Sequence, residues 1–83
     1  MQEKIQYPQY RKCSNGKSYF KILSHEEFEE IQVAGNKKVL YHFKAKILPD
    51  RNYIYDLTFN YREHWEVCDK EEYEALKKMA HSS

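Results

Sequence analysis

The groups in this chain that could do chemistry are four histidines, two cysteines and a run of glutamates at 26, 27, 29 and 30. Carboxylates packed that densely suit general acid and base work or a magnesium ion. Glu26 and Glu27, however, fall where the sequence predicts the first turn of a helix, and the helix dipole alone stabilises carboxylates there. The run is therefore expected to be a solvated face. Cys13 and Cys68 have 54 residues between them, which is not the close-pair spacing of a zinc site. The two glycines, Gly16 and Gly35, form no phosphate-cradling pattern. His25, His64 and His81 have ordinary places in a helical turn, a loop and a tail. His42 differs, because it alternates with Lys44 and Lys46 on one strand face, a setting that suits an anion. The expectation is a protein that is not an enzyme and takes no cofactor or metal, with His42, Lys44, Lys46 and Arg51 as its candidate binding surface.

A hairpin must position those four residues. From Val39, the odd positions Val39, Tyr41, Phe43, Ala45 and Ile47 are apolar or aromatic, and Tyr53, Tyr55, Leu57, Phe59 and Tyr61 continue the parity. Period-two alternation predicts two half-buried antiparallel strands. Sharing one buried face requires an odd loop, best met by Asp50-Arg51-Asn52 with Asn52 in the left-handed region. Phe43 then lies beside Phe59, and His42 beside Asn60 on the outer face. The same rule predicts a turn at Arg62-Glu63-His64, with His64 left-handed, leading into a strand from Trp65. One long bent strand over residues 53–68 is the alternative.

The ends of the predicted sheet meet two copies of one pattern. Phe20–Glu29 and Trp65–Glu74 match at an offset of 45 residues, each a short strand running into a helix start. Ser24 and Asp69 are N-cap types, with Glu27 and Glu72 placed for a capping box. Leu23 with Phe28, and Cys68 with Tyr73, fit the hydrophobic staple. One helix is expected over about Ser24–Val33, ending near Gly35, and a second over about Asp69–Ala80, with Tyr73, Leu76 and Ala80 on one stripe. Asn15-Gly16 is a turn signal that would close an earlier hairpin on residues 9–13. The predicted class is α+β, a small antiparallel sheet of three to five strands with two short helices packed on one face, order (β)βαβββα. The helix, three strands, helix order resembles a double-stranded RNA-binding domain in topology. That family's second helix opens with lysines, whereas this one opens with Asp69, Glu71 and Glu72.

Composition narrows the class of partner. At 83 residues the chain is expected to be a single domain, 1–83, with 1–8 and 81–83 loosely ordered. Thirteen aromatics can build a core without a disulfide. No apolar run has the length of a signal peptide or membrane span, which predicts a cytoplasmic protein with reduced thiols and no membrane partner. Net charge is +1, but in blocks: residues 1–23 carry +4, 24–35 carry −4, 36–52 carry +4 and 53–83 carry −3. Basic strands admit a nucleic-acid partner, yet the parity puts every ring on the helix-covered face and leaves none outside for bases to stack on. Eight tyrosines exceed what two short helices cover, so a protein partner is expected first, nucleic acid second, with self-association through a strand edge also open.

Overall fold

Three tight turns fold the first half of the chain into a meander, and the second half supplies the helices. The computed structural model describes residues 6–82, with side chains for 6–80. The elements are β1 (Gln9–Cys13), β2 (Ser18–Ser24), β3 (Glu27–Ala34), β4 (Lys37–Lys44), α1 (Leu48–Phe59), β5 (Trp65–Val67), α2 (Lys70–Met79) and β6 (His81–Ser82). The sheet order is β5-β1-β2-β3-β4-β6, antiparallel throughout except for the two-residue β6, which runs parallel to β4. The chain is thus α+β, with five antiparallel strands and two helices. The loose ends expected at 1–8 and 81–83 lie mostly outside the described residues; residues 81–82 pair with Val39 and Leu40.

The element order differs from the expected one in two places. The first copy of the repeat is a hairpin, not a strand and helix. Ser24 accepts a hydrogen bond from the Glu26 N–H at 3.1 Å, so the residue placed to cap a helix closes the turn between β2 and β3 instead. What decides is farther along. Ile31 and Val33 favour a strand, and Gly35-Asn36 forms a two-residue turn between Ala34 and Lys37. Only Gly35 there has positive φ, +62°, the II′ pattern that glycine allows. The second copy does become a helix. Asp69 occupies its N-cap position but makes no side-chain capping hydrogen bond, so the expected capping box is not formed, Glu72 pairing with Lys12 instead; Glu71 and Glu72 stand in the first turn, and Lys77 and Lys78 in the last.

The second difference is residues 48–59, expected as a loop and a strand and found as α1. Pro49 at the first helical positions and Asp50 in the first turn start it. Its buried residues are Ile54, Leu57 and Thr58, spaced as one helical stripe. The alternating rings that imitated a strand sit on its flanks, and Tyr55 meets Phe59 one turn away at 4.8 Å. No described non-glycine residue has positive φ, which removes the left-handed roles expected of Asn52 and His64. Trp65–Val67 is a strand as expected, but it pairs with β1, Cys13 opposite Trp65 and Arg11 opposite Val67. The bent-strand alternative and the resemblance to a double-stranded RNA-binding domain both fall with this order.

The helices also lie on opposite faces, not on one. Strand register puts Arg11, Phe20, Phe28, Glu30, Tyr41, Phe43 and Trp65 on one side, and Tyr10, Lys12, Tyr19, Lys21, Glu29, Ile31, Leu40 and His42 on the other. On the first side, α1 buries Ile54 and Leu57 against Phe20, Ile22, Phe28 and Ala45. On the second, α2 buries Tyr73 against Tyr10, Ile31 and Cys68, with Leu76 and Ala80 alongside. The reason is in β2 and β3, which carry apolar residues at both parities, so each face must be covered. Cys68 and Tyr73, the expected staple, do share a cluster. Both cysteines are free thiols. Among the described residues no helix is long and apolar enough to cross a membrane.

Candidate binding cleft

The β3–β4 hairpin and the start of α1 together hold a set of rings with one carboxylate. Phe28 and Phe43 are register partners, each seven residues from the Gly35-Asn36 turn, and their rings stack at 4.9 Å and 22°. Tyr41 extends the stack from Phe43 along β4 at 6.1 Å. Tyr53, in the second turn of α1, leans over Phe28 at 5.6 Å and meets Trp65 edge-on at 5.9 Å. The helix covers the centre of this face and stops short of β4, which leaves Phe43 40% exposed. Between them opens a cleft of about 290 Å³ lined by Phe28, Glu30, Phe43, Lys44, Ala45, Asp50 and Tyr53.

Glu30 is the unusual member. Of the four clustered glutamates, Glu26 pairs with Arg51 at 3.5 Å, Glu27 with His42, and Glu29 with Lys77 at 3.1 Å. Glu30 has no cationic partner among the described residues. It is half-buried and accepts a hydrogen bond from Gln32 Nε2 at 3.2 Å. Burial pushes its pKa up from the usual carboxylate range, opposed in part by hydrogen bonds from Gln32 and Ser18. The Tyr53 phenol rises to about 12, through burial first and the nearby Glu30 charge second. Both shifts describe one poorly hydrated spot beside the rings.

The residues expected to form a basic hairpin surface are not brought together as one. His42 and Lys44 share β4 and its α2-side parity, and the His42 ring contacts the Glu27 carboxylate. Lys46 is exposed in the segment between β4 and α1. Arg51 belongs to α1 and is paired with Glu26. The hairpin they were assigned to does not exist, because its second strand is α1. Lys44 alone of the four contributes to the cleft rim. Phe28, Phe43 and Tyr53 were not among the expected site residues, and Glu30, expected on a solvated face, is half-buried instead because the strand turns it toward the α1 side. A signal for Phe28 and Phe43 was present, since a two-residue turn at Gly35-Asn36 fixes Phe28 opposite Phe43. The expectation that no ring faces solvent also fails: Tyr55 is 55% exposed, Phe43 and Tyr53 each 40% and Phe59 39%.

Chemically, the cleft offers ring faces and a carboxylate of low hydration. Ring faces attract cations and apolar groups, and the carboxylate supplies a negative charge. No group of three or more histidine, cysteine, aspartate or glutamate side chains among the described residues is arranged to hold a metal ion. Comparison with protein-family models, curated proteins and solved structures returned no significant match.

Proposed function

We propose that this chain is a non-enzymatic binding module that takes a segment of a partner protein along β4. The observation that carries this reading is an open sheet edge beside an aromatic cleft. On its outer side β4 pairs with β6 only at Val39 and Leu40, so its backbone from Tyr41 to Lys44 has no strand beyond it among the described residues. An extended peptide added there gains main-chain hydrogen bonds, and alternate side chains reach the sheet face where Phe28, Phe43 and Tyr53 stand. Tyrosines at such a surface couple apolar area to a polar tip.

The exposed rings together with Lys37, Lys38, Lys44 and Lys46 favour nucleic acid as the second reading. Against it, Glu30 places a negative charge among the rings on which bases would stack, and His42 and Arg51 already face glutamates.

Selection of a displayed peptide library, followed by amide NMR mapping of the enriched peptides, tests the choice. Shifts centred on Glu30, Tyr41, Phe43 and Tyr53 are expected. No enriched peptide, combined with salt-sensitive shifts at residues 42–46 and Arg51 on adding oligonucleotides, would transfer the assignment to nucleic acid.

A further inference from the structure

We propose that the cleft between β3, β4 and α1 receives a methylated lysine side chain of the bound partner, with the exposed rings of Phe43 and Tyr53 as its walls, the buried Phe28 beneath them and Glu30 as its counter-ion. This rests on the reading of the chain as a protein-binding module and supplies the chemistry of its guest. Ring faces carry negative potential and attract organic cations, and alkylated ammonium groups are the usual guests of such cages because their methyls also bury apolar area. The cleft, about 290 Å³, lies at the lower edge of the range for small-molecule pockets and fits a single side chain. A neutral apolar guest would leave Glu30 half-buried without a counter-charge, which is costly. Asp50 on the rim adds a second negative charge at the mouth.

Two competing cations fit less well. A guanidinium is best recognised by both oxygens of one carboxylate, and Glu30 Oε2 already accepts from Gln32. An unmodified ammonium is strongly hydrated and donates three hydrogen bonds. The only charged acceptor deep in the cleft is Glu30, whereas a methylated ammonium requires fewer donors to be satisfied. Lys44 does not fill the place itself. Its strand parity is that of His42, toward the α2 face, where it lies opposite Glu27.

The test is a titration of labelled protein with N-acetyl-trimethyllysine methylamide and with its neutral tert-butyl isostere, in which carbon replaces the charged nitrogen. The cation is expected to shift amides at residues 28–30, 43–45 and 50–53 and to bind about tenfold more tightly than the isostere. Glu30→Gln, which keeps the hydrogen-bonding shape and is expected to keep a native amide spectrum, is expected to reduce that preference to what the rings alone supply. Phe43→Ala, at a surface-accessible ring, is expected to weaken both compounds. Equal binding of cation and isostere, an unchanged preference in Glu30→Gln, or no shift from either compound would overturn the proposal. Library peptides that bind along β4 without a cationic residue and without dependence on Glu30 would overturn it too, while leaving the binding-module reading intact. Trimethyllysine binding with no enriched peptide would uphold the guest and remove the strand-addition reading.

Discussion

The two faces of this sheet are covered by opposite means. On the α2 face, an apolar stripe of Tyr73, Leu76 and Ala80 is framed by three cross-layer ion pairs, Lys12–Glu72 at 3.4 Å, Lys21–Glu74 at 3.4 Å and Lys77–Glu29 at 3.1 Å. The Tyr73 hydroxyl also donates to Glu29 at 3.1 Å. On the α1 face the described residues show a single ion pair to the helix, Arg51–Glu26, and the grip comes from rings and from Arg11. That arginine is 3% exposed. Its guanidinium donates to the carbonyls of Leu57 at 2.9 Å and Thr58 at 3.1 Å, and it stacks over Tyr61 at 4.1 Å. The last turn of α1 has no basic residue of its own, so a strand supplies the charge that the helix dipole and orphan carbonyls call for. The sealed face is electrostatically matched along the helix; the open face is held by rings, one ion pair and Arg11, and leaves Glu30 without a cationic partner among the described residues.

The largest effect that could break this contrast is Tyr73→Ala. The ring is fully buried and sits 5.5 Å from Tyr10, and its loss is expected to cost about 3–5 kcal/mol in urea denaturation. A cost comparable to a surface change would mean that ion pairs, not packing, seal the α2 face. Arg11→Met comes next, at about 2–3 kcal/mol, because it leaves the Leu57 and Thr58 carbonyls without their donor. Hydrogen exchange should show protection lost first over α1 while α2 amides stay protected; equal loss on both helices would mean the faces unfold as one. Lys77→Met removes contacts at 3.1 and 3.3 Å and should cost about 1 kcal/mol.

Glu30→Gln should have the smallest effect on stability and the opposite sign. Its native pKa lies above the unfolded value, so the folded state holds the proton more tightly and ionisation counts against folding. The substitution should therefore be neutral below the ordinary carboxylate range. A small gain should develop as pH rises through that range to the raised native value, and persist at neutral pH. Denaturation midpoints measured across acidic and neutral pH check this. A loss of stability at neutral pH would mean that Glu30 is a structural partner of Gln32 and Ser18.

How much of this was legible depends on whether local signals agree. For α2 they did: Asp69, the early glutamates, the late lysines and the Tyr73–Leu76–Ala80 stripe all specify the same helix. The Asn15-Gly16 turn was readable too, as were strands at Phe20 and Val39, which the structure starts two residues earlier, at Ser18 and Lys37. The first copy of the repeat was not, because a serine that can cap a helix can equally bond the amide two residues on, and the deciding Gly35-Asn36 turn lies beyond the matched segment. In α1 the stripe is Ile54, Leu57 and Thr58, while the period-two rings around it gave the louder signal. The cleft lay further out of reach. It needs a hairpin register and a helix crossing above it, and nothing local marks which of four neighbouring glutamates will be left without a cation.

The hold on α1 near both of its ends has a mechanical consequence. Twelve residues of helix make a rod roughly 18 Å long, fastened by Arg11 at its last turn and, nearer its first, by the Arg51–Glu26 pair and the packing of Tyr53 and Ile54. A rotation of only about 5° about either end would carry the other through about 1.5 Å, roughly one residue's rise. Anchors near both ends suppress that rotation, so α1 acts as a rigid bar that fixes how far Tyr53 stands from Phe43 across the cleft.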